Sequence, residues 1–231
     1  RVPARLSIVT PGSHCPECKK AIPFYLNIPV LSYLVLWGKC RYCHTPISIR
    51  YPAVETLTGA VALMIFFKYG ISPSTGFYIV FASVLIAVSF IDIDHQIIPD
   101  VISLPGIPIG LMASFLLTSL SFKDSLIGLL VGGGSLFLVA WGYQLVTGKE
   151  GMGGGDIKLL AMIGAFIGWQ GVCFTIFIAS ATGSLIGTVL MLFAQKDLKF
   201  AVPFGPFLSV GAIAYLFFGN ELIFWYYHIA F

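Results

Sequence analysis

From residue 54 onward the chain is a series of apolar stretches broken only by short polar gaps, and that pattern leaves few ways to fold. Seven stretches stand out, at 54–69, 73–91, 101–119, 125–146, 157–169, 172–194 and 203–227. A bilayer core of about 30 Å asks for ~20 consecutive apolar residues in a helix. Most of the stretches meet or approach that length, and 157–169 has to extend or tilt. Helix is the expected state, because hydrocarbon offers a backbone no hydrogen-bond partner. The gaps are short, so consecutive helices run antiparallel. The expectation is an all-α, polytopic membrane helical bundle over 54–231, in contact with membrane lipid. Composition agrees: 58% of residues are hydrophobic and 10% charged, against about 45–50% and ~25% in soluble domains. A net charge of +3 is too weak to point to a nucleic-acid partner.

Residues 1–53 are different in kind. They hold four of the five cysteines and seven of the 13 basic residues: Arg1, Arg5, Lys19, Lys20, Lys39, Arg41 and Arg50. Lys and Arg in short loops mark the cytoplasmic side. With 1–53 inside and the seven stretches alternating, Lys149, Lys158, Lys196 and Lys199 also fall inside, and only Lys68 and Lys123 fall outside. Eleven cations against two make the orientation and the span count consistent with each other.

Within 1–53, Cys15-Pro16-Glu17-Cys18 and Cys40-Arg41-Tyr42-Cys43 form two C-x-x-C knuckles. Four thiolates in such pairs suit a closed tetrahedral zinc site. A cytoplasmic location argues against disulfides, since thiols stay reduced there. His14 and His44 flank the knuckles as spare ligand candidates. The expected organisation is a small cytoplasmic zinc-binding domain over 1–53 followed by the membrane domain. Between the knuckles, residues 27–37 are apolar but too short to span, and they can lie on the membrane surface or on the bundle. Cys173, alone in a stretch, reads as a buried apolar residue.

The chain has ten acidic residues, and acids at membrane depth are costly and usually functional. Asp92, Asp94 and Asp100 follow the stretch 73–91. Asp156, in Gly153-Gly154-Gly155-Asp156, precedes 157–169. Two spans separate the groups, so Asp92 and Asp156 return to the same face on different helices. Two carboxylates sharing one site are what an aspartyl protease needs, one ionised to activate water and one protonated to polarise the scissile carbonyl. The glycines before Asp156 let a substrate backbone come close. The plainer readings are Asp156 as a helix N-cap and Asp94 and Asp100 as solvated loop acids. Asp92 and Asp94 are about 200° apart on a continuing helix and cannot both face one site. Lys158 either snorkels to the interface or tunes a nearby acid. Glu55 is either a favourable charge near a helix N-terminus or a ligand for a cationic group. Gly132–Gly134 and the Gly183-x-x-x-Gly187 pair read as close helix packing.

Taken together these residues resemble the bacterial type IV prepilin peptidase family, the G-x-G-D membrane aspartyl peptidases. The resemblance rests on C-P-E-C, N-I-P-x-L-S-Y-L, G-K-C-R-Y-C and I-S-x-R-Y-P-x-x-E in the cysteine region. It continues through I-D-x-D-H-x-x-I-P-D, G-M-G-G-G-D-I-K and Pro203-Phe204-Gly205-Pro206-Phe207-Leu208. It implies Asp92 and Asp156 as the catalytic pair and Cys15, Cys18, Cys40 and Cys43 as zinc ligands. It also implies a bacterial inner-membrane peptidase that removes prepilin or pseudopilin leaders after glycine at the cytoplasmic face. Many members then N-methylate the new N-terminus, usually phenylalanine, with S-adenosylmethionine, and the cysteine domain favours both activities. No residue can be assigned to that cofactor. The substrates implied serve type IV pili or type II secretion. The family usually begins with one more helix ending in an arginine-rich turn, which Arg1-Val2-Pro3 resembles, so eight spans are expected in the intact protein. The rival from another class is a transporter with a zinc-stabilised domain and ion-binding acids near the bilayer midplane. A different G-x-G-D protease is the nearer rival, and it would not need the cysteine domain.

Overall fold

A computed structural model describes residues 12–117, 120–149, 151–194 and 202–230. Arg1, Arg5, Lys196 and Lys199, which enter the orientation argument, lie outside them. The chain divides into two compact units, 1–64 and 65–231. The described residues are helical, with two isolated β-bridges and no strand.

The first unit is built on a repeated turn. Cys15 N–H bonds the Lys20 carbonyl (3.0 Å), Lys19 N–H the Cys15 carbonyl (3.0 Å) and Ile22 N–H the Ser13 carbonyl (2.8 Å). Twenty-five residues later the same bonds recur, from Cys40 N–H to Thr45, His44 N–H to Cys40 and Ile47 N–H to Gly38. The bridges His14–Ala21 and Lys39–Pro46 match as well, as do the left-handed Lys19 (φ 57°) and His44 (φ 56°). The two cysteine motifs are thus two copies of one knuckle, a repeat that two shared cysteines make hard to see in sequence.

Between the knuckles, a 3-10 turn over Phe24–Leu26 leads to helix α1, Leu31–Val35. Leu31, Leu34, Val35 and Trp37 are exposed. Helix α2, Arg50–Tyr69, starts earlier than the apolar stretch suggests. Glu55 therefore sits in its second turn, not at its N-terminus. Its carboxylate accepts the N–H of Val30 at 2.8 Å, where a β-branched residue holds φ 60°. That conformation is costly for valine, and the carboxylate fixes it.

The second unit contains the end of α2 and helices α3 (Pro73–His95), α4 (Asp100–Ala113), α5 (Phe122–Thr147), α6 (Gly154–Ala194) and α7 (Gly205–Ala230). Among the described residues, three helical segments are long and apolar enough to cross a membrane, Pro73–His95, Phe122–Thr147 and Gly154–Leu192, the last divided at Gly168, with shorter apolar helices at Asp100–Ala113 and Gly205–Gly219. The molecule is a polytopic helical membrane bundle. One stretch differs from expectation. The helix expected over 101–119 ends at Ala113, after Pro105 and Pro108 inside it. The stretches 157–169 and 172–194 form two helices, as expected, joined directly at Gly168 (φ 73°, ψ 177°) and labelled together as α6, and that joint is a conformation open in practice only to glycine.

Residues 159–168 of α6 are buried on every side, packed among α4, α5 and α7. That explains why this short stretch is apolar all round. Phe166 stacks on Phe81 of α3 with ring centroids 4.5 Å apart. Cys173, expected to be buried, is exposed on α6, because the helix past Gly168 turns that position out of the bundle. At the far end of α3, Ser72 caps the helix by accepting the Thr75 N–H. Lys68 pairs with Glu221 (3.1 Å) and also bonds the Phe217 carbonyl, while Tyr69 donates to the Leu216 carbonyl at 2.8 Å.

Close helix packing occurs where α5 meets α6. A Cβ at Gly128 would overlap the Gly164 carbonyl oxygen, and one at Gly164 would overlap that of Gly128. One at Gly132 would strike the Leu160 carbonyl. The pair Gly128-x-x-x-Gly132 is therefore the tight seam. Among the described residues, an added Cβ at Gly183 would meet only Phe207, in ordinary contact at 3.6 Å, and one at Gly187 nothing, so that pair forms no backbone-to-backbone seam with them. Gly128→Ala is expected to destabilise the bundle by ~1–3 kcal/mol, the usual cost of overpacking. Gly183→Ala should leave stability unchanged or slightly higher, through lost unfolded-chain entropy. Thermal melting of detergent-solubilised protein separates the two.

Candidate active site and metal centre

The inward face of α3 is a stripe. Tyr78, Phe81, Leu85 and Val88 are buried at spacings of three and four, and the next position on that face is Asp92. The helix continues to His95, so Asp94 turns outward and is exposed. Gln96 closes the helix in the left-handed conformation, its N–H on the Asp92 carbonyl at 2.8 Å. The chain then reverses through Ile97–Pro99 into α4.

Asp156 stands in the first turn of α6. It is not the N-cap, since the helix begins at Gly154 and Asp156 N–H bonds the Gly153 carbonyl at 3.2 Å. Its carboxyl lies one and two turns above the fully buried Leu159, Leu160 and Ile163. Gly155 beside it packs on Ile98, whose Cδ1 reaches to 3.3 Å from where a Cβ at Gly205 would stand, next to the Asp92 carboxylate. Among the described residues, a Cβ at Gly153 would have only the Asp156 carboxylate near it, at 3.8 Å, and one at Gly154 would meet nothing. The glycine loop thus leaves open space beside the acid.

Three further residues complete the arrangement. Gly205, at the start of α7, donates its N–H to Asp92 Oδ2 at 3.0 Å, in a buried bond. Ile98 packs against Gly155, where an added Cβ would lie 2.9 Å from Ile98 Cβ. Lys158 pairs with Asp100 at 2.7 and 2.8 Å, which ties the first turn of α6 to that of α4. Lys158 therefore neither snorkels alone nor pairs with Asp156. Exposed ion pairs of this kind contribute ~0–1 kcal/mol to stability. Ile98 and Gly205 were missed as site residues. The Pro203–Leu208 element carries a visible sequence signal, but a backbone N–H has no side chain by which to read its role.

In the first unit, the Sγ atoms of Cys15, Cys18, Cys40 and Cys43 all lie within 4.8 Å of one another, and His14 and His44 are not in the cluster. His14 Nδ1 is engaged with the Gly12 carbonyl at 2.9 Å. The Cys15 and Cys43 sulfurs are 3.7 Å apart, far beyond a disulfide bond. Zinc–sulfur bonds of ~2.3 Å place tetrahedral sulfurs about 3.8 Å apart, so the donor set fits a tetrahedral metal. The thiols are also electrostatically in conflict. The Thr45 hydroxyl and backbone hold Cys43 down to about 6. At Cys18 the Lys20 backbone bond lowers the value, but desolvation and the Cys43 and Cys15 thiols outweigh it and push Cys18 up to about 11. Crowded like groups resist ionising together, and a bound dication removes the conflict.

Residues 1–69 match the bacterial peptidase A24 N-terminal domain, and residues 79–188 match the type IV leader peptidase family. The chain is 39% identical over 219 residues to a prepilin leader peptidase/N-methyltransferase of Stutzerimonas stutzeri, covering 95% of this chain and 76% of that protein. It is 38% identical over 218 residues to the one from Pseudomonas putida, covering 94% and 76%. For Aeromonas hydrophila the figures are 37% over 220 residues, covering 95% and 76%. No solved structure matches the chain.

Proposed function

Because this chain belongs to the type IV leader peptidase family, we propose that it cleaves leader peptides with Asp92 and Asp156 as its catalytic carboxylates. The observation that carries this reading is the convergence of two acids from different helices, each on a face leading into the buried core, with Ile98 packed between the Gly205 that bonds Asp92 and the Gly155 that precedes Asp156. The substrates are type IV prepilins or pseudopilins, cut after a glycine. The ionised carboxylate takes a proton from water, and the water oxygen attacks the scissile carbonyl. The protonated carboxyl donates to the carbonyl oxygen as its charge develops. Collapse of the tetrahedral intermediate breaks the C–N bond, the proton held by the base passes to the leaving amine, and one hydroxyl proton of the diol returns to the other carboxylate, so the pair ends with the one shared proton it began with. The open space beside Gly153 and Gly154 is where the substrate backbone approaches.

The relatives' names join a methyltransferase to the peptidase, and we carry both activities over to this chain. S-adenosylmethionine supplies the methyl group for the new N-terminal amine. The working face is cytoplasmic and the membrane is the bacterial inner membrane, a placement supported by the eleven-to-two bias of cations. Cys15, Cys18, Cys40 and Cys43 hold a structural zinc ion. All four positions of a tetrahedral ion are then taken, so the metal organises the domain and leaves no site for substrate. A transporter would place its acids mid-helix, whereas Asp92 is in the last turn of α3 and Asp156 in the first turn of α6.

The test is incubation of the purified protein with a leader-bearing pilin peptide, with and without S-adenosylmethionine, read by mass spectrometry. Loss of the leader in both arms, with one methyl group added only with the cofactor, is the expected result. An intact peptide in both arms overturns the reading.

A further inference from the structure

We infer that the peptide group of Gly205, with Ile98 wedged beside it, is the device that positions the Asp92 carboxylate for cleavage. This rests on the reading of Asp92 and Asp156 as the cleaving pair and adds to it how one member is aimed. The first turn of α7 explains why the bond forms. The Phe204 carbonyl takes the N–H of Phe207 (3.1 Å) and of Leu208 (3.2 Å). Pro206 has no N–H to give. Gly205 therefore presents the first free donor of the helix, on the side where helix N-termini favour negative charge, and it gives it to Asp92 Oδ2 at 3.0 Å. On its other side the Gly205 carbonyl accepts the hydroxyl of buried Ser209 at 2.9 Å, so the peptide plane is held from both edges.

Glycine is required here for space. A Cβ at 205 would stand 2.7 Å from Asp92 Oδ2 and 3.3 Å from its Cγ. The same point is 3.3 Å from Ile98 Cδ1, and Ile98 Cβ packs at Gly155, next to Asp156. One isoleucine therefore fills the gap between the glycine that holds Asp92 and the glycine that precedes Asp156. With Oδ2 committed to an N–H and the spacing set by Ile98, Asp92 Oδ1 is left as the oxygen that works on water. The titratable group facing Asp92 from α6 is Asp156. Asp100 of α4 is paired with Lys158, Asp94 and His95 on α3 itself are exposed, and the first turn of α7 carries no acid.

The experiment measures kcat and KM for leader cleavage, with melting temperature, on full-chain variants in detergent. Gly205→Ala keeps the donor but displaces the carboxylate. Gly205→Pro removes the donor at a helix start that tolerates proline. Misplacing a reacting group by about 1 Å costs ~100-fold, so both variants should lose about that much kcat with KM near wild type, at an assay temperature where their folded fraction, read from the melting curve, is unchanged. Ile98→Ala should lose about tenfold in kcat, and Ile98→Val should recover most of it, since it keeps the branched Cβ at the wedge. Gly183→Ala is the control for alanine in a helix. Unchanged kcat in Gly205→Pro, or losses that track melting temperature across the set, overturn the inference. Asp92→Asn run alongside separates the two ideas. If it cleaves, the catalytic pairing itself fails. If it is inactive while the Gly205 variants cleave normally, only the positioning role fails.

Discussion

Asp92→Asn and Asp156→Asn each end leader cleavage, with an expected loss on the order of 10⁴-fold or more, because groups that act as a unit fail together when either is removed. An amide is no base, and it cannot exchange the proton the pair shares. The geometry sets the contrast. Asp92 is buried at 5% exposure at the end of an apolar stripe, whereas Asp94 on the same helix is exposed, and Asp100 is occupied by Lys158. Asp94→Asn and Asp100→Asn should therefore keep most of the activity. The measurement is a cleavage assay on folded, purified variants, with already cleaved pilin as a parallel methyl acceptor. Methylation should survive both catalytic substitutions if the two reactions use separate sites. Robust cleavage by Asp156→Asn would remove the basis for an aspartyl mechanism.

The second large effect concerns the metal. From Gly12 to Ile49 only Cys15 and Gly38 are buried, so the knuckle region has no apolar core to hold it. Four-thiolate zinc sites in small domains contribute about 10 kcal/mol or more of folding free energy, and domains of this size depend on such staples. Metal analysis should find one zinc per chain. Serine at Cys15 or Cys40 should bring that close to none and open residues 12–49 to proteolysis, while the helical content of 65–231 persists. A metal-free protein with four titratable thiols and a protease-resistant first unit would refute the assignment.

Much of this was legible in the sequence because it is written in side chains. Apolar stretches located the helices, and the ~200° between Asp92 and Asp94 meant that only one could face a site; the buried stripe of Tyr78, Phe81, Leu85 and Val88 shows that it is Asp92. Paired cysteines announced a four-sulfur cluster. What stayed hidden is held by backbone. The tight α5–α6 seam depends on carbonyl oxygens of Gly128 and Gly164, and the G-x-x-x-G pattern alone could not tell that seam from the open pair at 183 and 187. Glu55 looked like a helix-end charge because the true start at Arg50 lies in polar sequence. Its partner is a backbone N–H 25 residues away. The hold of Gly205 on Asp92 is of the same kind: a contact across 113 residues whose donor carries no side chain.

The shortness of α4 bears on the lipid around the protein. Its 14 residues make a rod of about 21 Å, against a hydrocarbon layer of ~30 Å. Val101, Leu104, Ile109 and Met112 point away from the bundle, so acyl chains must meet α4 directly. The first half of α6 is shielded on every side and makes no such demand. A mismatch of this kind costs fractions of a kcal/mol per Å, so the chain length of the surrounding lipid becomes a quantity this enzyme feels. The short helix is also the one whose first turn is tied through Asp100 and Lys158 to the start of α6, so a lipid-driven tilt of α4 is transmitted to the helix that carries Asp156.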